Sequence, residues 1–189
     1  IGYFIHSALN PAPKTYLEMA IMDASTTMDD RDVITNALNA ALIPADEAGK
    51  YVFQIDDFYM APDDASDYAQ ALSQKFSAML FARQINLMMF GDASLEGLGE
   101  EGLYTDLSTI FDESELSAHE DQVVRKEFPS DNDMTGQTAN GMYPCALKLA
   151  GSEFFTSLGF DVSNMYLAVY YTGQSDDAMK QAIEYIMGW

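Results

Sequence analysis

The chain has 189 residues, 48% of them apolar, and thirty acidic against nine basic side chains give a net charge of −21. Its length and apolar content fit one folded domain of ordinary size and set aside a disordered chain. The charge repels nucleic acid phosphates and anionic lipid headgroups, so no nucleic acid partner is expected, and the single Cys145 leaves no intramolecular disulfide.

Residues 1–9, IGYFIHSAL, are apolar and lead into the proline-broken spacer NPAPK. They are too short to span a bilayer; they read either as the remnant of a transmembrane or signal segment or as an ordinary apolar element. Residues 1–14 are accordingly taken as a membrane-proximal linker, and residues 15–189 as a single α/β domain.

The segment TYLEMAIMD (15–23) has strand character. Residues 26–42 follow as a helix, with Val33, Ile34, Ala37, Leu38, Ala41 and Leu42 on one stripe and Thr26 or Thr27 at its start. YVFQIDDFYM (51–60) is a second strand. Residues 63–83 place Tyr68, Leu72, Phe76, Met79 and Leu80 together on a second helix, with Asp63 or Asp64 as its cap. INLMMF (85–90) is a third strand. This β-α-β-α-β run implies parallel strands joined by right-handed crossovers, in a mixed, mostly parallel sheet with helices on both faces.

Further on, SLEGLGEEGL and DESELSAHED read as short helices flanking YTDLSTIF, QVVRKEF (122–128) as a short strand, and residues 129–141 as a loop. MYPCALKLA (142–150) and MYLAVYYTG (165–173) read as strands. Residues 175–189 form an amphipathic closing helix, with Ser175 and Asp177 suited to its N-terminus.

Motifs for chemistry fail on inspection. GLGEEG (97–102) matches a dinucleotide-binding glycine pattern in letters but carries Glu100 and Glu101 where phosphates would lie. Asp131, Asp133 and Thr135 begin like a calcium loop, yet its twelfth position is Met142 instead of a bidentate glutamate. His6 and His119 have no zinc-spaced partner, no serine sits in a nucleophile elbow, and Cys145 lies among apolar neighbours like a structural thiol. The carboxylate pairs Asp29/Asp30, Asp56/Asp57, Asp63/Asp64 and Asp176/Asp177 fall mostly where helix N-termini are expected. No metal, cofactor or catalytic set is therefore expected.

The segment SQKFSAMLFARQINLMMFGDASLEGLGEEGLYTDLSTIF, together with the tail NMYLAVYYTGQSDDAMKQAIEYI, resembles the extracellular solute-binding proteins of ABC importers, in a shortened form. The resemblance implies a periplasmic-binding-protein-like lobe and capture of a small solute outside the cytoplasm.

In an open sheet, ligands gather beyond the carboxyl ends of parallel strands. That places Asp23 and Ser25, Asp57 and Tyr59, Asp92 and Ser94, and Tyr171, Thr172 and Gly173 as candidate contacts, with acids favouring an amine or sugar hydroxyl. Asp57, Tyr59, Asp92, Ser94, Tyr171 and Thr172 form the candidate ligand set. Asp92 or Ser94 has a competing role as cap of the next helix. The expected function is a non-catalytic, extracytoplasmic, membrane-anchored domain that binds a small solute or a membrane protein partner. The alternatives are a degenerate fold kept as an interaction module and a hydrolase using an acidic pair such as Asp56/Asp57.

Overall fold

The computed structural model describes residues 12–24, 27–59, 66–127, 141–171 and 176–189. The N-terminal apolar segment, Asp63, Asp64 and the Asp131–Asp133 motif lie outside the described residues. Six strands build the sheet: β1 (Lys14–Ile21), β2 (Tyr51–Asp57), β3 (Leu87–Gly91), β4 (Val123–Glu127), β5 (Met142–Lys148) and β6 (Met165–Val169). The helices are α1 (Met28–Leu42), α2 (Asp67–Phe81), α3 (Asp92–Glu100), α4 (Glu113–Ala118), α5 (Glu153–Ser157) and α6 (Asp176–Met187), with a 3-10 turn at Leu107–Thr109. Helix α5 has no counterpart in the expected order of elements.

The strands lie in the order β2-β1-β3-β6-β5-β4. β1 pairs in parallel with both β2 and β3, whereas the β3–β6, β6–β5 and β5–β4 pairs are antiparallel. Four strands thus point one way, β4 and β6 the other. The sheet is α/β and mixed, with helices on both faces.

Alternation along the strands divides the core in two. Leu17, Met19, Ile21, Leu87, Met89, Leu167 and Val169 face α1, α4, α5 and α6, which contribute Ile34, Leu38, Leu116, Phe155 and Ile183. Ala20, Met88, Phe90, Ala168 and Tyr170 face α2 and α3, which contribute Met79, Leu80, Leu95 and Leu98. Coverage on both sides explains why β1 and β3 read as nearly unbroken apolar runs.

The caps account for the helix starts. Thr27 and Asp30 form a reciprocal capping box on α1, so the start falls on Thr27. Ser66 caps α2 by accepting from the Ala69 N–H, so that helix begins after the expected Asp63/Asp64 position. The apolar stripes are narrower than the periodicity implies. Val33 and Tyr68 are exposed, because the sheet covers only Ile34 and Leu38 fully on α1, and Ala69, Met79 and Leu80 on α2.

Asn86, just before β3, ties three strands together. Its Oδ1 accepts from the Glu18 N–H and its Nδ2 donates to the Tyr171 carbonyl, both at 2.9 Å. Its main chain adds bonds to the Glu18 carbonyl and from the Tyr170 N–H. Replacing Asn86 by Ala strands one donor on β1 and one acceptor after β6, each worth roughly 1–3 kcal/mol. Urea unfolding of Asn86→Ala is expected to lose about 2–6 kcal/mol with an unchanged m-value.

Candidate functional site

At the carboxyl ends of β1 and β3 the chain's own bonds occupy the groups on offer. Asp23 turns into the left-handed region (φ 59°), and its Oδ2 accepts from the Gly91 N–H at 3.1 Å. Gly91 is the N-cap of α3 in extended backbone (φ −92°), without a side-chain cap bond. A Cβ at Gly91 would meet the Asp23 Cβ at 3.4 Å, so a bare residue fits closely against that turn. The cap expected at Asp92 or Ser94 is therefore Gly91, because the helix begins one residue earlier than a side-chain cap at Asp92 would need. Asp92 instead sits in the first turn, where a carboxylate suits the helix dipole, and accepts from the Tyr166 hydroxyl at 2.6 Å.

The other sequence-named residues disperse. Asp57 Oδ1 accepts from the Tyr59 N–H at 2.8 Å in a turn after β2, with the Tyr59 ring exposed. Ser94 is half-buried on α3. Tyr170 is buried, and its hydroxyl donates to the Leu80 carbonyl. Ser25, Thr172 and Gly173 lie outside the described residues. Tyr171 is at the opposite end of the sheet from Asp92, level with the start of β3.

There a cavity of about 970 Å³ opens between α2 and the amino-terminal parts of β1 and β3. Glu18, Asp56, Lys75, Arg83, Asn86 and Tyr171 contribute to its wall. Glu18 leaves the middle of β1 on the same face as Ala20, and Asp56 comes from β2 beside it. Lys75 reaches from α2 to Asp56 Oδ2 at 2.8 Å and lies 5.3 Å from the centroid of the Phe58 ring.

Glu18 is 4% exposed, and its Oε1 has no hydrogen-bond partner. Burial, then a hydrogen bond to Asp56 and the charge of Asp56, push its carboxyl up to about 8, and the opposing pull of Lys75 does not cancel them. At neutral pH Glu18 is thus an acid, sharing its proton with Asp56.

Arg83 forms the rim. The Gln84 N–H bonds to the Met79 carbonyl and the Arg83 N–H to the Leu80 carbonyl, the paired ending that usually places a glycine where Arg83 stands. Arg83 adopts φ 52° there, and its guanidinium lies 5.3 Å from the centroid of the Tyr171 ring. Of the six residues expected to touch ligand, Tyr171 lines this cavity. Glu18, Lys75 and Arg83 were not singled out by sequence reasoning. The available signal was Glu18 itself, the one carboxylate in β1, set between apolar neighbours from Tyr16 to Ile21.

Elsewhere the chemistry is quiet. Burial pushes the Cys145 thiol up to about 12, the state of an unreactive core residue. Among the described residues no three His, Cys, Asp or Glu side chains gather as a metal-binding group. Nor is any helix among them long and apolar enough to cross a membrane.

The sign of the Glu18 effect on stability follows from linkage. The folded chain holds the proton until about pH 8, whereas the unfolded chain releases it near its ordinary value of 4.5. The contribution is full below 4.5 and lost as pH rises through 8, at a limiting rate of about 1.4 kcal/mol per pH unit. Glu18→Gln keeps the donor toward Asp56 without a titrating proton. The stability of wild type minus that of Glu18→Gln is therefore expected to fall across this window, as read by urea unfolding at each pH; a flat difference contradicts the protonated acid.

Comparison with family models, with curated proteins and with solved structures found no match.

Proposed function

We propose that the chain is a non-catalytic binding domain that holds a small polar solute in the cavity between α2 and the sheet. The observation that carries this reading is the buried Glu18 in the cavity wall, whose Oε1 lacks a donor. An unpaired buried acceptor costs roughly 1–3 kcal/mol. Arg83 adds a left-handed backbone at the rim, about 1–2 kcal/mol for a residue with a side chain. Costs of this kind concentrate where a ligand uses the groups concerned.

The setting proposed with it is extracytoplasmic and membrane-tethered, supported by the apolar residues 1–9 and their proline spacer. A membrane protein that docks the domain is the partner this setting implies.

A second reading, hydrolysis by an acidic pair, gains support from Glu18 and Asp56, since a carboxyl that burial raises can serve as a general acid beside a second carboxyl. It moves the pair from the expected Asp56/Asp57, whose members alternate along β2, to neighbouring strands. Turnover abolished by Glu18→Gln would favour it over simple binding.

The test is thermal unfolding against amino acids, peptides, sugars and polyamines. A ligand at ~100 times its dissociation constant is expected to add about 2.7 kcal/mol. Tyr171→Ala is expected to abolish that gain while folding, and Asp92→Ala to keep it. Arg83→Gly is expected to stabilise the free domain by about 1 kcal/mol, as read by urea unfolding. A panel without any stabilising compound overturns the reading.

A further inference from the structure

We propose that the cavity's ligand carries a protonated amine, which seats against Glu18 and Asp56 and releases one proton to solvent as it binds. The inference rests on the binding reading above and names the ligand class for that same cavity. Two carboxyl groups meet here, from β1 and β2, and one cation, Lys75, is ion-paired with Asp56. The Lys75 side chain is 49% exposed. It therefore sits at the water-facing side of the pair, and among the described residues no cation is ion-paired with Glu18.

What Glu18 lacks is a donor. Its Oε1 accepts nothing although the residue is 96% buried, so a ligand suited to this wall brings N–H or O–H groups. An ammonium offers three donors and a positive charge, enough to serve both carboxyls at once. A metal ion is the poorer fit, since no group of three acidic, histidine or cysteine side chains forms among the described residues. The cavity also lies by the carboxyl-terminal end of α2, where the helix dipole favours cations, and the net charge of −21 raises the local concentration of cations.

The charged and titratable groups around Glu18 are Asp56 from β2, Lys75 from α2, Arg83 after it, Glu47 before β2, and the phenols of Tyr16, Tyr51 and Tyr171. No covalent bond to carbon changes. The Glu18 O–H gives its proton to the buffer, and the resulting carboxylate pairs with the ammonium. Because the free carboxyl stays protonated up to about 8, affinity for a permanently charged amine should rise about tenfold per pH unit below that point and level off above it.

The experiment is titration calorimetry of the full chain with 1,4-diaminobutane, at about pH 6 and pH 7, with the pH 7 runs repeated in two buffers of different ionisation enthalpy. Saturable binding, close to one proton released and a roughly tenfold gain in affinity between the two pH values are expected. Glu18→Gln preserves the shape and donor of the protonated acid, so it should fold. It should show no proton release, no pH dependence and affinity at least tenfold weaker at pH 7. Binding without proton release, or Glu18→Gln behaving as wild type, overturns the proposal. A sugar or carboxylic acid that fills the cavity while the diamine does not overturns the amine class and leaves the binding cavity standing. Silence of diamine, sugars, peptides and amino acids alike overturns the binding reading itself.

Discussion

The structure depends on the side chain of Asn86. Asn86, one residue ahead of β3, bonds the Glu18 carbonyl through its own N–H, and its side-chain amide extends the ladder by bonding the Glu18 N–H on one side and the Tyr171 carbonyl on the other. These bonds join the parallel strands β2-β1-β3 to the antiparallel strands β6-β5-β4 at the end of the sheet where the cavity opens. A buried amide with both ends occupied also fixes direction, since its acceptor must face β1 and its donor β6. Glu18 is held from both its N–H and its carbonyl, so its carboxyl stays directed toward Asp56 even though the position disfavours a charge.

That placement inverts the usual geography of an open sheet. Ligands ordinarily sit at the carboxyl ends of parallel strands, where helix N-termini point and anions are welcome. Here that end is closed by the Asp23–Gly91 and Asp92–Tyr166 bonds. The opening lies instead where α2 ends, and the residues around it, Lys75, Arg83, Glu18 and Asp56, are those expected at the negative end of a helix beside a carboxyl pair. The stacked rings of Phe90, Tyr104 and Tyr166 fill the space near Asp92 that a ligand would need.

The β-α-β-α-β order is legible in the sequence because strands buried on both faces read as continuous apolar runs and α1 and α2 as periodic stripes. Strand direction is not legible, since a period of two looks the same whichever way a strand runs, and β6 beside β3 had no visible mark. Helix α5, five residues long, is too short to show a period. Tyr171 was readable as a polar-tipped aromatic at a strand end, though that strand runs antiparallel, which carries it to the other edge. Glu18 was passed over because a single carboxylate inside TYLEMAIMD resembles the polar position of a half-exposed strand. Only the covering of that face by α2 makes it a buried acid, and such covering is a tertiary fact.

Helix α6 carries a consequence for the order in which the chain folds. Met179, Ala182, Ile183 and Ile186 lie in the core against β1 and β3, and Trp189 stacks on His119 at 4.3 Å while its indole N–H bonds Gln122. β3 also waits for β6, its antiparallel neighbour some seventy residues later in the chain. During synthesis β1, α1, β2, α2 and β3 therefore emerge with one flank of β3 unpaired until β6 follows, and with the face that α1 shares with α4, α5 and α6 only partly covered until α6 follows. The nascent β1–β3 segment therefore carries an open strand edge until β6 is available to pair with it.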